Sequence, residues 1–469
     1  MLTLPLTIIA LLVSDASATP TRQPRGISLD LHRRVQSRSV EELGVWAKNH
    51  REGLAAKYGG RTTTRKRSTG TNLLVNQGGD SSFYGSLAIG TPPVAFDVIL
   101  DTGSADLWVA GSTCTRGCSS TPTFDVSASS TFTNKSTPFS IVYGSGDASG
   151  ALASDTVQMA GFSVSNQVFA VCDEVSSNLL TSPVSGLLGL AWDSIAASRA
   201  TPFAQTLATG NSWDSPVMAF QLTRFLNQSR TGESQAGGSF TMGFVNSTLY
   251  TGDIEFINMP TSTNSYWILP IKAMTVQGSS ITVPSGSDAY AAIDTGTTLI
   301  GGPPDQIANV YAQIPNSQPG TGDLEGYYMY PCDTSVTVTF SFGGKSWAVS
   351  PADFEVQEVS RGMCMGGLFS LSTGDSAPSW IVGDTFLKNV YSVFRFNPPS
   401  VGFAALSGYS LSMNGNLDLA VPSATIGSVS AFATAGGSSN RNSDAAVSLR
   451  TPSLISTIAM MSLWAILAN

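Results

Sequence analysis

Two stretches of this 469-residue chain say nearly the same thing: Val98-Ile99-Leu100-Asp101-Thr102-Gly103-Ser104 and Ala291-Ala292-Ile293-Asp294-Thr295-Gly296-Thr297. Each sets Asp-Thr-Gly at the end of an apolar run, an unusual place for a carboxylate because burial disfavours its charged form. A single copy also suits a strand ending in a turn, with Asp accepting local backbone hydrogen bonds and Gly supplying a positive φ. Two copies arise by accident in roughly one chain of this length in several hundred, and the matching apolar approaches make accident less likely still. The duplication predicts two similar halves, one Asp-Thr-Gly in each. Two buried carboxylates related by such symmetry can share one proton and act as acid and base from one residue type.

The absent residues narrow the chemistry further. The only histidines, His32 and His50, precede a basic triplet, Arg65-Lys66-Arg67. A chain cut there and starting near Ser68 holds none, which removes Ser-His and Cys-His nucleophilic mechanisms and most catalytic zinc sites. No metal and no cofactor is expected, and carboxylate chemistry remains.

Low charge with plentiful Gly, Ser and Thr predicts β-structure with many turns. Val336, Val338, Phe340 and Phe342 alternate with Thr and Ser before Gly343-Gly344 and then Trp347 and Val349, which reads as a hairpin. Ile307, Val310, Tyr311 and Ile314 fall at helical spacing after Pro303-Pro304 and read as one buried face of a short helix.

The leader reads as processing signals. An apolar stretch from Met1 to Val13, followed by Ala16-Ser17-Ala18, predicts a secretory signal peptide over residues 1–18, although no Lys or Arg precedes it. Residues 19–67 then read as a pro-segment carrying twelve of the 24 Lys and Arg. Residues 68–469 keep twelve basic and 27 acidic residues, a net charge of −15. A basic segment is thus tethered to an acidic body, held by attraction while the carboxylates are ionised. The acidic body argues against a nucleic-acid partner.

Further motifs follow in order: Leu107-Trp108-Val109, Ile141-Val142-Tyr143-Gly144-Ser145-Gly146, Gly186-Leu187-Leu188-Gly189-Leu190 and Trp380-Ile381-Val382-Gly383-Asp384. With the twin Asp-Thr-Gly they resemble the pepsin-like aspartic proteases over roughly residues 70 to 408. The resemblance implies an all-β, bilobal fold with the active site in the cleft between the lobes, here expected at 68–255 and 256–408. It implies an aspartic endopeptidase, a monomer acting on peptides or proteins in acid, with Asp101 and Asp294 as the catalytic pair. Thr102 and Thr295 would brace the two loops, Ser104 and Thr297 would bond the outer carboxylate oxygens, and Gly103 and Gly296 would admit the substrate backbone. Tyr143, Gly144 and Ser145 would form the tip of a hairpin closing over substrate, the Tyr143 hydroxyl reaching the Trp108 indole. Lys57-Tyr58 resembles the element by which such zymogens place a lysine on the catalytic carboxylates, so the pro-segment is expected to be an intramolecular inhibitor.

Cys332 and Cys364 match the C-terminal-lobe disulfide of that family; Cys114 and Cys118 are close enough for a small loop, and Cys172 is left as a buried free thiol. Asn134, Asn227 and Asn246 open glycan acceptor triplets. Asp147, Asp173 and Glu174 would favour basic substrates if they face the cleft, and Leu187 reads as pocket lining or core, Leu188 as core. After the resemblance ends, residues 409–444 read as a Ser-, Gly- and Ala-rich stalk, and 445–469, ending in the apolar Leu454–Ala468, as a glycosylphosphatidylinositol anchor signal. A lipid-anchored surface enzyme similar to the fungal yapsin type is expected. The alternative is a catalytically silent peptide-binding or cell-wall protein on the same fold, and the intact Asp101, Asp294 and Tyr143 argue against it.

Overall fold

Apolar alternation along short segments, broken by Gly and Pro, yields a molecule built almost wholly of strands. The computed structural model describes residues 69–423 and 431–435, except 178, 227–233, 261–263 and 375–376. The signal peptide, the pro-segment with Lys57-Tyr58, the anchor signal and Asn227 lie outside the described residues.

In chain order the first half runs β1 (Gly70–Gln77), β2 (Ser82–Ile89), β3 (Val94–Asp101), β4 (Leu107–Ala110), β5 (Thr133–Tyr143), β6 (Gly146–Met159), β7 (Phe162–Val175) and β8 (Val184–Gly189), followed by β9 (Val217–Leu222), β10 (Gln235–Met242) and β11 (Tyr250–Asn258). All eleven belong to one extended sheet, which also takes in Val390–Phe396 and Pro399–Leu406 from near the end of the fold. Its middle is shared between the halves: β9 pairs with Val390–Phe396 on one side and with β10 on the other, and β10 pairs with β1. The border expected at 255/256 falls within β11, which pairs with Pro399–Leu406. The second half adds three smaller sheets, one of which carries Tyr290–Ile293 and Trp380–Val382 side by side.

Periodicity placed the local elements well. Val338–Ser341 and Ser346–Val349 form the antiparallel hairpin around Gly343-Gly344. Pro304–Tyr311 is helical, with proline at its first turn where a missing N–H costs nothing, and Ile307, Val310 and Tyr311 are buried along one face. Leu188 is core; Leu187 is also buried, against Trp108 and Tyr84. Both disulfides, Cys114–Cys118 and Cys332–Cys364, are formed. Cys172 is a buried free thiol, its pKa pushed up to about 12 by burial and then by Asp173.

The expected stalk is corrected over part of its length. Residues Gly408–Met413 form a helix whose N-cap, Ser407, accepts the Ser410 N–H, and Ser410 Oγ donates to the Leu249 carbonyl. Farther on, Ala431–Thr434 pairs in parallel with Phe162–Ser165 of β7. The reason is an open edge: β4 covers β7 only at Ala170–Cys172, leaving the N-terminal end of β7 to recruit another strand. Among the described residues no helix is long and apolar enough to cross a membrane.

Candidate active site

Both Asp-Thr-Gly loops are positioned by the same device. β3 delivers Asp101 and lies parallel to β8, with Leu100 opposite Leu188 and Asp101 opposite Gly189. Tyr290–Ile293 delivers Asp294 and lies parallel to Trp380–Val382, and the Asp294 N–H donates to the Val382 carbonyl at 3.0 Å. Each carboxylate therefore leaves a strand fixed in the core and enters a turn at its end.

Four hydrogen bonds tie the two loops to one another. Thr102 Oγ1 donates to the Ile293 carbonyl at 2.8 Å and accepts the Thr295 N–H at 3.0 Å. Thr295 Oγ1 donates to the Leu100 carbonyl at 2.7 Å and accepts the Thr102 N–H at 3.1 Å. The pattern is twofold symmetric, and all of it is buried. Within each loop, one carboxylate oxygen accepts a backbone N–H (Gly103 to Asp101, 2.7 Å; Gly296 to Asp294, 2.8 Å). The other accepts a hydroxyl: Ser104 to Asp101 at 2.5 Å and Thr297 to Asp294 at 2.6 Å.

The glycines show how closely the halves approach. A Cβ on Gly103 would land on the Asp294 carboxylate, and one on Gly296 would land on that of Asp101. Each loop lies against the opposite aspartate, so any side chain there would displace the pair.

Electrostatics follow from this crowding. The Asp101 pKa lies well above the ordinary range, first because the group is buried and then because Asp294 is beside it, with Ser104 and Gly103 pulling the other way. The pair thus retains a proton that an isolated surface aspartate would release. Behind it, the buried Asp384, next after the Val382-Gly383 strand end, is also pushed well upward by burial, only partly offset by Lys388. Its backbone N–H donates to the Thr297 carbonyl at 2.8 Å, fixing the second loop from behind.

β5 and β6 form a hairpin with Gly144 and Ser145 exposed at its tip and Tyr143 paired with Gly146. Trp108 Nε1 donates to the Tyr143 hydroxyl at 2.8 Å. The Tyr143 pKa is raised, by burial first and then by the negative charge of Asp101. Its cross-strand neighbours one step back, Val142 and Asp147, take the opposite face, and Val142 is 78% exposed.

The conditional expectation for basic substrates fails for Asp147 and Glu174. Asp147 lies on the outer face of the hairpin, and both Asp147 and Glu174 are engaged by Arg116 Nη2, at 3.2 and 3.1 Å. Of the other sequence candidates, Asn134 is exposed, and Asn246 Oδ1 accepts the N–H and hydroxyl of its own Thr248.

Sequence reasoning missed Tyr266, whose pKa is raised by burial and then by the charges of Asp294 and Asp101. Ser265-Tyr266-Trp267 carries no motif that would have marked it. It also missed a buried ion cluster. Lys388 Nζ contacts Asp80 at 2.6 Å and Asp353 at 3.0 Å, and Arg224 forks onto Asp353 through Nε and Nη2. Burial works against the Lys388 charge, but Asp353 and Asp80 outweigh it and lift its pKa. These four residues come from widely separated segments, so no local pattern announces them. Among the described residues no cluster of His, Cys, Asp and Glu is arranged to hold a metal.

Comparison with known proteins agrees with this geometry. The family described as eukaryotic aspartyl protease matches residues 82–406. Major aspartyl peptidase 1 of Cryptococcus neoformans var. grubii is 43% identical, covering 82% of this chain and 86% of its own length. An aspartic protease of Phaffia rhodozyma is 36% identical over 72% of this chain and 80% of its own. Pepsin A of Bos taurus is 33% identical over 78% of this chain and 94% of its own. With the paired, cross-braced carboxylates already in view, the chain belongs to the eukaryotic aspartyl protease family and is an aspartic-type endopeptidase.

Proposed function

We propose that Asp101 and Asp294 hydrolyse peptide bonds by activating a water held between them. The observation that carries this is the cross-braced pair itself: two buried carboxylates, each beneath the other loop's glycine, with the Asp101 proton held well above its ordinary pKa. Like charges this close do not both ionise, so the pair carries one proton. The ionised carboxylate takes a proton from water as the oxygen attacks the peptide carbonyl. The protonated partner donates a hydrogen bond to the developing oxyanion, and a proton then passes to the leaving nitrogen. Activity belongs to acid, because loss of the shared proton at higher pH removes the donor.

An extended peptide fits the cleft, its backbone pairing as an added strand and its alternate side chains entering pockets. Tyr143, Gly144 and Ser145 cover it from the hairpin tip. Residues 19–67 inhibit the dyad until cut at Arg65-Lys66-Arg67, a reading supported by the basic leader and acidic body. Small residues, a polar spacer and an apolar tail support a lipid anchor and a place on the outer cell surface.

Asp101→Asn and Asp294→Asn test the dyad. Each should lower peptide cleavage in acid by at least about 10²–10⁴-fold, the scale of a lost acid–base group, while circular dichroism is unchanged. Full activity in either purified variant would overturn the assignment.

A further inference from the structure

The Cys114–Cys118 loop carries one side chain that does more than close a turn. The loop lies along β7: the Thr115 N–H donates to the Asp173 carbonyl and the Val175 N–H to the Arg116 carbonyl, both at 2.9 Å. Gly117 completes the fit at φ +77°, where a Cβ would collide with the Val175 carbonyl. Disulfide, backbone bonds and glycine together give Arg116 a fixed base.

From that base its guanidinium reaches two strands at once. Nη2 contacts Asp147 Oδ2 on β6 and Glu174 Oε2 on β7. Asp147 is fully engaged, because its Oδ1 accepts Ser176 Oγ at 2.5 Å, its N–H donates to that same hydroxyl at 2.9 Å and its carbonyl accepts the Ser176 N–H at 2.8 Å. Asp147 is paired with Val142, directly before Tyr143, so it fastens the outer face of the hairpin one row behind the Tyr143–Gly146 pair that Trp108 holds.

We propose that Arg116 is a positioning residue for the substrate-covering hairpin, holding its outer face through Asp147 while that carboxylate is ionised and releasing it in acid. The proposal rests on the reading of Tyr143–Ser145 as the cover over substrate. The groups facing the guanidinium are Asp147 from β6 and Glu174 from β7; Ser176 is the other group on Asp147. The sign is fixed by geometry: the Ser176 and Arg116 hydrogen bonds hold the Asp147 pKa below its ordinary value, so the fastening is complete above that value and is lost as pH falls through the lowered one. All three side chains are substantially exposed, which limits the effect to a modest one.

The test compares Arg116→Ala, Arg116→Lys, Asp147→Asn and Tyr143→Ala in the mature enzyme, with steady-state kinetics on one peptide at about pH 5 and about pH 2, either side of the ordinary carboxylate range. Arg116→Ala and Asp147→Asn should raise KM about two- to five-fold at the higher pH with kcat within two-fold of the parent. Arg116→Lys should fall between, and all three should converge on the parent at the lower pH. An unchanged KM at about pH 5, or a rise that persists undiminished at about pH 2, would overturn the role of Arg116. Tyr143→Ala separates the two readings: if it leaves kcat/KM unchanged, the substrate-cover reading has failed and this proposal with it; if it cripples kcat/KM while Arg116→Ala does nothing, only Arg116 is wrong.

Discussion

Thr102→Val removes one hydroxyl and leaves the shape of the side chain unchanged, which makes it a clean probe of the brace beneath the dyad. That hydroxyl donates to Ile293 O and accepts from Thr295 N, and Thr102 is fully buried, so water cannot replace either partner. A buried group left without its hydrogen bond costs about 1–3 kcal/mol, and two are left here, so the substitution should destabilise by about 2–6 kcal/mol. For a folded body of this size that is on the order of 3–8 °C in Tm. Scanning calorimetry in an Asp294→Asn background avoids self-digestion. The mirror substitution, Thr295→Val, orphans Thr102 N and Leu100 O and should cost the same within about 1 kcal/mol. A Thr102→Val protein melting within about 1 °C of its parent would refute the argument, because the brace would then contribute nothing beyond shape.

Ser104→Ala removes the hydroxyl that favours the ionised form of Asp101, so the Asp101 pKa should rise further and the pH profile of kcat/KM should move toward higher pH; a shift toward lower pH would contradict the hydrogen-bond reading. Deleting residues 445–469 should release active protease into the medium, since both catalytic loops and every described strand, Ala431–Thr434 included, are kept; treating cells that make the full chain with a phosphatidylinositol-specific phospholipase should do the same. Enzyme that stays on membranes with Leu454–Ala468 still attached would exclude the anchor.

What the sequence revealed depended on how local the signal was. The Asp-Thr-Gly pair is legible because symmetry demands the same short string twice, and the Pro304–Tyr311 helix because burial of one face imposes a 3.6-residue period. The pairing of β11 with Pro399–Leu406 was not legible, since the partner strand lies far along the chain. The stalk was misread in part because a Ser- and Ala-rich composition is equally compatible with a free tail and with a strand that fits an open edge. Asp147, in Gly146-Asp147-Ala148, and Glu174, in Asp173-Glu174, look like free acids in the sequence; only the fold shows that Arg116 already holds them.

The shared sheet has a consequence for how this chain reaches its native state. β1 and β10 are joined through β9 to Val390–Phe396, and the buried Lys388 closes on Asp80 at a separation of 308 residues. Such pairings are non-local, so most of the loop-closure entropy is spent before they reward it, which slows folding. The duplicated halves are therefore not two autonomous modules emerging in turn during synthesis. The first half leaves β9 without its partner until the last strands are made, an exposed edge in the meantime. Once closed, the same interleaving works in reverse: unfolding must part strands from both ends of the chain together, a route to persistence by barrier height in an enzyme surrounded by its own activity.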